Sequence, residues 1–228
     1  MSGDGFTIAD RPDEEETKRL LARQGLRVPA SLRARAGEAP TPPFPGPYVV
    51  KVCSAEVLHK TEQGGVRLSV GPDELPVVVH QMQSRFPGAD ILVEEQVRHA
   101  GMEFILGAFR DPTFGPAVMA GTGGILTEIY RDVAFRLVPC TAGEALRMLR
   151  ELAVFPVLDG FRGMTLDAAG LAGMIARVSS IVENLGDRFS QLDLNPVVFS
   201  PGGWTILDAK LVLAGPGHPA EAARSLPS

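Results

Sequence analysis

The stretch QLDLNPVVFSPGGWTILDAKLVL, residues 191–213, decides how the rest of the chain is read. Two strand-like runs flank Pro201-Gly202-Gly203, which is the signature of a β-hairpin. If Pro201-Gly202 is a two-residue turn, facing positions sum to 403 and Asn195 stands opposite Asp208. If Gly202-Gly203 is the turn, the sum is 405 and Asp208 lies diagonal to Asn195. Side chains alternate with a period of two, so both registers put the pair on one face, with Asp193 beside them. Two hard oxygen ligands on adjacent strands suit magnesium, which prefers a carboxylate or two plus substrate phosphates and water. The same spacing also describes the polar, solvent-facing side of an edge hairpin, and spacing alone does not choose between the two.

Upstream, YVVKVC (48–53), VRLSV (66–70), DILVEEQV (90–97), GMEFILGAF (101–109) and GPAVMAG (115–121) read as strands. A helix is expected after Pro76, carrying Val78 or Val79, Met82 and Phe86. Asp13-Glu14-Glu15-Glu16 followed by Lys18, Arg19, Arg23 and Gly25 puts acid at a helix start and base at its end. Thr141 with Glu144 makes a capping box, and Leu171, Ile175, Val178, Val182 and Leu185 make a long apolar helix face. PTPPFPGP from Pro40 is too rich in proline for helix or central strand and reads as a surface connection. Strands and helices in irregular alternation, several of them hairpin neighbours, give an α+β fold rather than a doubly wound parallel sheet.

Composition bounds the function. The chain has 228 residues, 45% of them hydrophobic, enough for one bilobed domain or two small ones. A net charge of -5 offers no basic stripe to neutralise nucleic-acid phosphates. Cys53 and Cys140 are the only cysteines and lack CxxC spacing, so they read as buried reduced thiols. The start MSGDGFTIADRPDEEE has no basic segment followed by an apolar one, and no run of 18 apolar residues occurs, so a cytoplasmic location is expected.

Lys51 stands among Val49, Val50, Val52 and Cys53 in a strand expected to be buried. An unpaired ammonium there costs several kcal/mol, so Lys51 needs an anion, unless it snorkels to water from an edge strand. A nucleotide phosphate would serve. Gly64-Gly65 and Gly123-Gly124 let backbone N–H groups approach phosphate oxygens, although most such pairs are simply turns. Neither a GxxxxGK[ST] loop nor a GxGxxG fingerprint is present. His80, His99 and His218 suit surface roles, and His59 sits beside Lys60 in a glycine-bearing loop.

Several motifs then fall in one order: PYVVKVCSAEVLHKTEQGGVRL, ILVEEQV, GMEFILGAFRDPTFGPAVMAGTGGILTEIYRDVAFRLVP, LDGFRG, QLDLNP and LDAK. From Tyr48 to Leu213 this resembles the ATP-grasp domain of ADP-forming acyl-CoA synthetases, as in the free-standing beta subunit of acetate–CoA ligase. The resemblance implies an ATP-grasp fold in which ATP or ADP lies between two α+β lobes. It divides the chain into an N-terminal helix and proline-rich connection (1–47), a small lobe (48–97), a large lobe (98–213) and a loose tail (214–228). It places Glu94, Glu95 and Val97 at the hinge against adenine, Lys51 on the phosphates with Gly64 and Gly65 nearby, and Glu103 near ribose and phosphates. Asn195 and Asp208 match the magnesium ligands, the pair that the hairpin brings together.

His59 matches a relay histidine that carries a phosphoryl group from an acyl phosphate to ADP. The resemblance further implies a separate CoA-binding alpha subunit and a heterotetramer. Gln191 stands where the family commonly has glutamate, and 30–47 is short for the helix usually found there. Two related classes share much of this pattern: a regulatory module of a protein acetyltransferase, and another carboxylate–CoA ligase acting on succinate or malate.

Overall fold

The computed structural model describes residues 8–53, 64–99, 101–124, 132–160 and 166–214. Two antiparallel sheets carry the chain. The smaller has the order β1-β4-β2-β3, from β1 (Ser31–Ala34), β2 (Tyr48–Cys53), β3 (Val66–Val70) and β4 (Asp90–Glu95). The larger has the order β10-β8-β5-β6-β7, with β9 also paired to β8. Its strands are β5 (Glu103–Asp111), β6 (Gly115–Thr122), β7 (Val133–Leu137), β8 (Phe189–Ser200), β9 (Gly203–Ile206) and β10 (Ala209–Leu213). The strands expected from alternation are all present. Ser31–Ala34, within a stretch that proline content marks as connection, is an additional strand pairing with Ile91–Glu94.

Helices cover one face of each sheet. In the small lobe, α2 (Leu75–Arg85) buries Leu75, Val79 and Met82 against Val50, Val52, Ile91 and Val93. The large lobe is covered by α1 (Glu14–Arg23), α3 (Ala142–Leu149) and α5 (Ala168–Leu185), with the one-turn α4 (Phe155–Leu158) at its margin. Asp167 caps α5 by accepting from Gly170 N at 2.8 Å, and Gly186, at φ +54°, ends it. Between the caps, Leu171, Ile175, Val178, Val182 and Leu185 all go into the core. Each such side chain contributes about 1.5–3 kcal/mol by leaving water.

The capping box at α3 forms as the sequence predicts: Glu144 N donates to Thr141 Oγ1 at 3.3 Å and Thr141 N donates to Glu144 Oε2 at 2.8 Å. Thr141 N and, at 2.7 Å, Thr141 Oγ1 both donate to the Glu144 carboxylate and hold its pKa below the ordinary value, so their stabilisation is present above the unfolded pKa and is lost as pH falls through the folded one. Thr141→Ala is expected to cost about 1 kcal/mol in urea denaturation near neutral pH. An unchanged unfolding midpoint would show that the cap contributes nothing.

The large sheet leaves its other face free of these helices. Along it, Lys210, Asp193, Gly107, Met119 and Phe135 are successive register partners. Asn195 and Asp208 share the parity of Asp193 and Lys210, so they belong to this open face. Both cysteines are buried, and among the described residues no helix is long and apolar enough to cross a membrane.

Candidate functional site

The hairpin takes the first of the two registers. Val197 faces Ile206 and Ser200 faces Gly203, and beyond the break between β9 and β10, Leu194 faces Ala209. Positions summing to 403 therefore stay opposed from Ser200 back to Gln191, and the register shifts only at the far end, where Phe189 faces Leu213. Asn195 N donates to Asp208 O at 3.2 Å and Leu207 N to Pro196 O at 2.9 Å, which carries the register through the break. Asn195 is exposed and Asp208 half-buried. Asp208 Oδ1 accepts from Ala209 N at 2.8 Å.

Asp193 is solvent-accessible, yet protein atoms crowd its carboxyl. That loss of hydration, reinforced by Asp208 and opposed by Lys210, holds its pKa above the ordinary value. Among the described residues no three His, Cys, Asp or Glu side chains form a metal cage. Asn195 and Asp208 fit a magnesium ion, whose remaining positions are ordinarily filled by phosphates and water.

The break at Leu207–Asp208 has a second result. Leu207 O accepts from Lys18 Nζ at 2.6 Å and from Lys51 Nζ at 2.7 Å. Lys51 lies on β2, an interior strand of the small sheet, so it does not snorkel from an edge. The anions it needs are supplied by the chain: Glu14 Oε1 at 2.7 Å and Glu94 Oε2 at 2.9 Å. Lys18 Nζ reaches the same two carboxylates, Glu14 Oε1 at 2.7 Å and Glu94 Oε1 at 2.5 Å.

Two ammonium groups and two carboxylates thus form a four-membered charge cluster where α1, β2, β4 and the β9–β10 break meet. All four side chains are at most 9% exposed. Burial alone would lower the Lys51 pKa, but Glu14, Glu94 and Asp208 outweigh it and the net direction is up. Asp208 is therefore near enough to act electrically on Lys51. Removing one member of such a buried set commonly costs about 3–5 kcal/mol, because an opposite charge is left unpaired.

Glu94 turns its carboxylate into this cluster, whereas its neighbour Glu95 is exposed. At the hinge, Glu95 N donates to Ala30 O at 2.9 Å and Gln96 N to Pro47 O at 3.1 Å. Val97 is half-buried where the chain leaves the small sheet for β5. Glu103 begins β5, and the Gly123-Gly124 pair packs on it: Gly123 N donates to Glu103 O at 2.8 Å. A Cβ at Gly124, already at φ +66°, would lie 3.2 Å from Glu103 Oε2. The left-handed backbone, more than that approach to a movable carboxylate, favours glycine here.

Gly64 and Gly65 lead into β3 beside the strand of Lys51, and Gly65 O accepts from Val52 N at 2.9 Å. His80 lies on α2, and His99 Nδ1 accepts from Gly101 N at 3.2 Å. His59, Lys60 and the tail beyond Ala214, His218 included, fall outside the described residues. Lys51 and Glu94 thus meet beside Asp208, with Asn195 on the neighbouring strand, while Glu95 and Val97 lie on the connection towards β5, which Glu103 begins.

Sequence reasoning missed Glu14 and Lys18. It read them as helix-end charges, although Glu14, Thr17, Lys18 and Leu21 stand at the i, i+3, i+4, i+7 positions of a buried stripe.

Comparison with known proteins identifies the fold and the family. The ATP-grasp domain family matches residues 9–213. The beta subunit of acetate–CoA ligase (ADP-forming) I from Pyrococcus furiosus is 34% identical over 212 residues, covering 88% of this chain and 90% of that one. Acetate–CoA ligase (ADP-forming) I of Archaeoglobus fulgidus is 38% identical over 175 residues, 73% of this chain but only 25% of that much longer protein. A solved structure of the dinucleotide-forming acetyl-coenzyme A synthetase 1 of Ca. Korarchaeum cryptofilum superposes with a TM-score of 0.74 at 30% identity, over 90% of this chain and 93% of that one. It holds coenzyme A and Mg-AMPPCP, with its phosphohistidine segment pointing towards the nucleotide site. The chain has the ATP-grasp fold and belongs to the family of ATP-grasp beta subunits of ADP-forming acetate–CoA ligases.

Proposed function

We propose that this chain is the nucleotide-binding subunit of an ADP-forming acid–CoA ligase, taking ADP or ATP with magnesium into the junction between its two sheets. The observation that carries the reading is the meeting of Lys51, from the small sheet, with the Leu207–Asp208 segment of the large one. A cation for phosphate oxygens and a carboxylate for magnesium are the two charges a bound nucleoside diphosphate needs, and here they face each other across the lobes. The hinge at Glu94–Val97 divides the lobes. Glu95 and Val97 frame the base and Glu103 the ribose side, while Glu94 acts through Lys51.

Asn195 and Asp208 would hold the magnesium ion, with Asp193 on the same face. When bound, the ion supplies charge neutralisation and orientation of the diphosphate oxygens. The chain's own contribution is positioning: Lys51 offsets phosphate charge, and the two lobes exclude water from the transfer.

Phosphoryl transfer itself falls to His59, whose segment leaves β2 after Cys53 and returns at Gly64. A neutral imidazole nitrogen attacks the phosphorus of an acyl phosphate. An N–P bond forms, the P–O bond to the acyl group breaks, and the carboxylate leaves. In the second step a terminal phosphate oxygen of ADP attacks the phosphohistidine, the N–P bond breaks, and ATP and neutral histidine result. The phosphohistidine segment described for the archaeal synthetase supports this reading.

Formation of the acyl phosphate and release of CoA belong to a separate alpha subunit. The Archaeoglobus relative, about three times as long as this chain, supports a division of this kind. The test is reconstitution. The chain co-expressed with its CoA-binding subunit is expected to form ATP from ADP, phosphate and acyl-CoA, and neither chain alone to do so. Full activity from this chain alone, or tight nucleotide binding with no ligase activity in any assembly, would overturn the proposal, the latter in favour of a regulatory module.

A further inference from the structure

The four-membered cluster holds more than a phosphate-binding lysine needs. Lys51 alone would be satisfied by one carboxylate, yet α1 inserts both a second carboxylate and a second ammonium. Lys18 is 3% exposed, so it is no direct ligand. Its contacts are instead with every partner of Lys51: Glu14 Oε1, Glu94 and Leu207 O. The carbonyl they share belongs to the peptide that leads into Asp208.

Each carboxylate in the cluster is therefore divided between two cations, which weakens the hold of either on Lys51. Lys18 and Lys51 together fix the peptide from which Asp208 projects. Leu20, Leu21 and Leu26 anchor α1 in the large-lobe core, while Glu14 and Lys18 reach β2 and β4 of the small sheet. The helix thus sets the charge at the junction from outside the nucleotide contacts.

We propose that Glu14 and Lys18 are positioning residues for nucleotide binding: Glu14 restrains Lys51 as a stand-in for phosphate, and Lys18 releases Lys51 by sharing its carboxylates. This rests on the reading that Lys51 meets the phosphates. Its consequence is a pair of opposite effects. Glu14→Gln removes one of the two carboxylates paired directly with Lys51 and makes the cluster more positive, so Mg·ADP binds more tightly. Lys18→Met takes away the ammonium that shares both carboxylates with Lys51, so they bear more strongly on Lys51 and Mg·ADP binds more weakly. A residue pair needed only for folding would shift both variants in the same direction.

The experiment is calorimetric titration of the full chain with Mg·ADP, for wild type, Glu14→Gln, Lys18→Met and the double variant. The dissociation constant is expected to fall about tenfold in Glu14→Gln and to rise about tenfold in Lys18→Met. The double variant removes one cation and one anion together, leaving the net charge of the cluster unchanged, and is expected within about threefold of wild type. If a single variant does not fold, the double variant decides, and binding more than about tenfold weaker than wild type overturns the proposal. Singles that shift together, or not at all, while wild type binds, also overturn it. A wild-type chain that takes up no Mg·ADP overturns the nucleotide reading and this inference with it.

Discussion

Asp208→Ala is expected to lower kcat of the assembled ligase by about 10³-fold or more, with stability changed by only about 1 kcal/mol. The side chain is half-buried and stands at the break between β9 and β10, so its loss opens no core cavity. On the proposed reading the substitution removes one of two protein oxygen ligands for magnesium, together with a charge that acts on Lys51. Diphosphate oxygens would then carry their charge poorly neutralised as the phosphoryl group moves. Asn195→Ala is expected to act in the same direction. Asp208→Asn, which keeps the shape and a weaker oxygen ligand, should fall between Asp208→Ala and wild type at saturating magnesium. Steady-state assay of ATP formation across a magnesium titration checks all three, and wild-type kcat in Asp208→Ala would remove Asp208 from the site.

The second large effect belongs to His59. His59→Asn keeps a polar side chain of similar reach but has no nucleophilic nitrogen, so kcat for ATP formation is expected to fall by about 10⁴-fold or more. Mg·ADP binding by the same variant should stay close to the wild-type value, because the imidazole is proposed to meet the travelling phosphoryl group and not the resting diphosphate. A kcat effect without a binding effect separates a carrier from a group that merely shapes the loop. Retention of most activity in His59→Asn would mean that phosphate reaches ADP without this carrier.

Much of this geometry is legible in the sequence because its causes are local. The hairpin register follows from one Pro-Gly turn and the two-residue period of strands, and it carries Asn195 to Asp208 without knowledge of any other element. The α3 capping box and the apolar stripe of α5 are likewise written within a few turns of chain.

Other features are set by distant partners. The buried lysine of β2 announces that it needs an anion, but not which one. The answer, Glu14 and Glu94, comes from residues 37 and 43 positions away that meet only in the folded chain. Glu94 reads as a hinge residue because the hinge is where its neighbours go, and its own side chain points to the other side of the strand. Ser31–Ala34 is too short to show alternation, and it becomes a strand only because Ile91–Glu94 offers it an edge. Gly123-Gly124 reads in sequence as a turn or a phosphate nest, and its close packing on Glu103 shows only in the fold.

The central claim is that this chain carries a phosphoryl group from a partner's acyl phosphate to its own nucleotide. Intact mass and peptide mapping after incubating the assembled wild-type enzyme with acyl-CoA and phosphate, without ADP, tests it most directly. One acid-labile, base-stable phosphoryl group is expected on the peptide containing His59, lost on adding Mg·ADP as ATP appears and never formed in His59→Asn. A label that persists in His59→Asn, or a wild-type complex that turns over fully with no label on this chain, would contradict it.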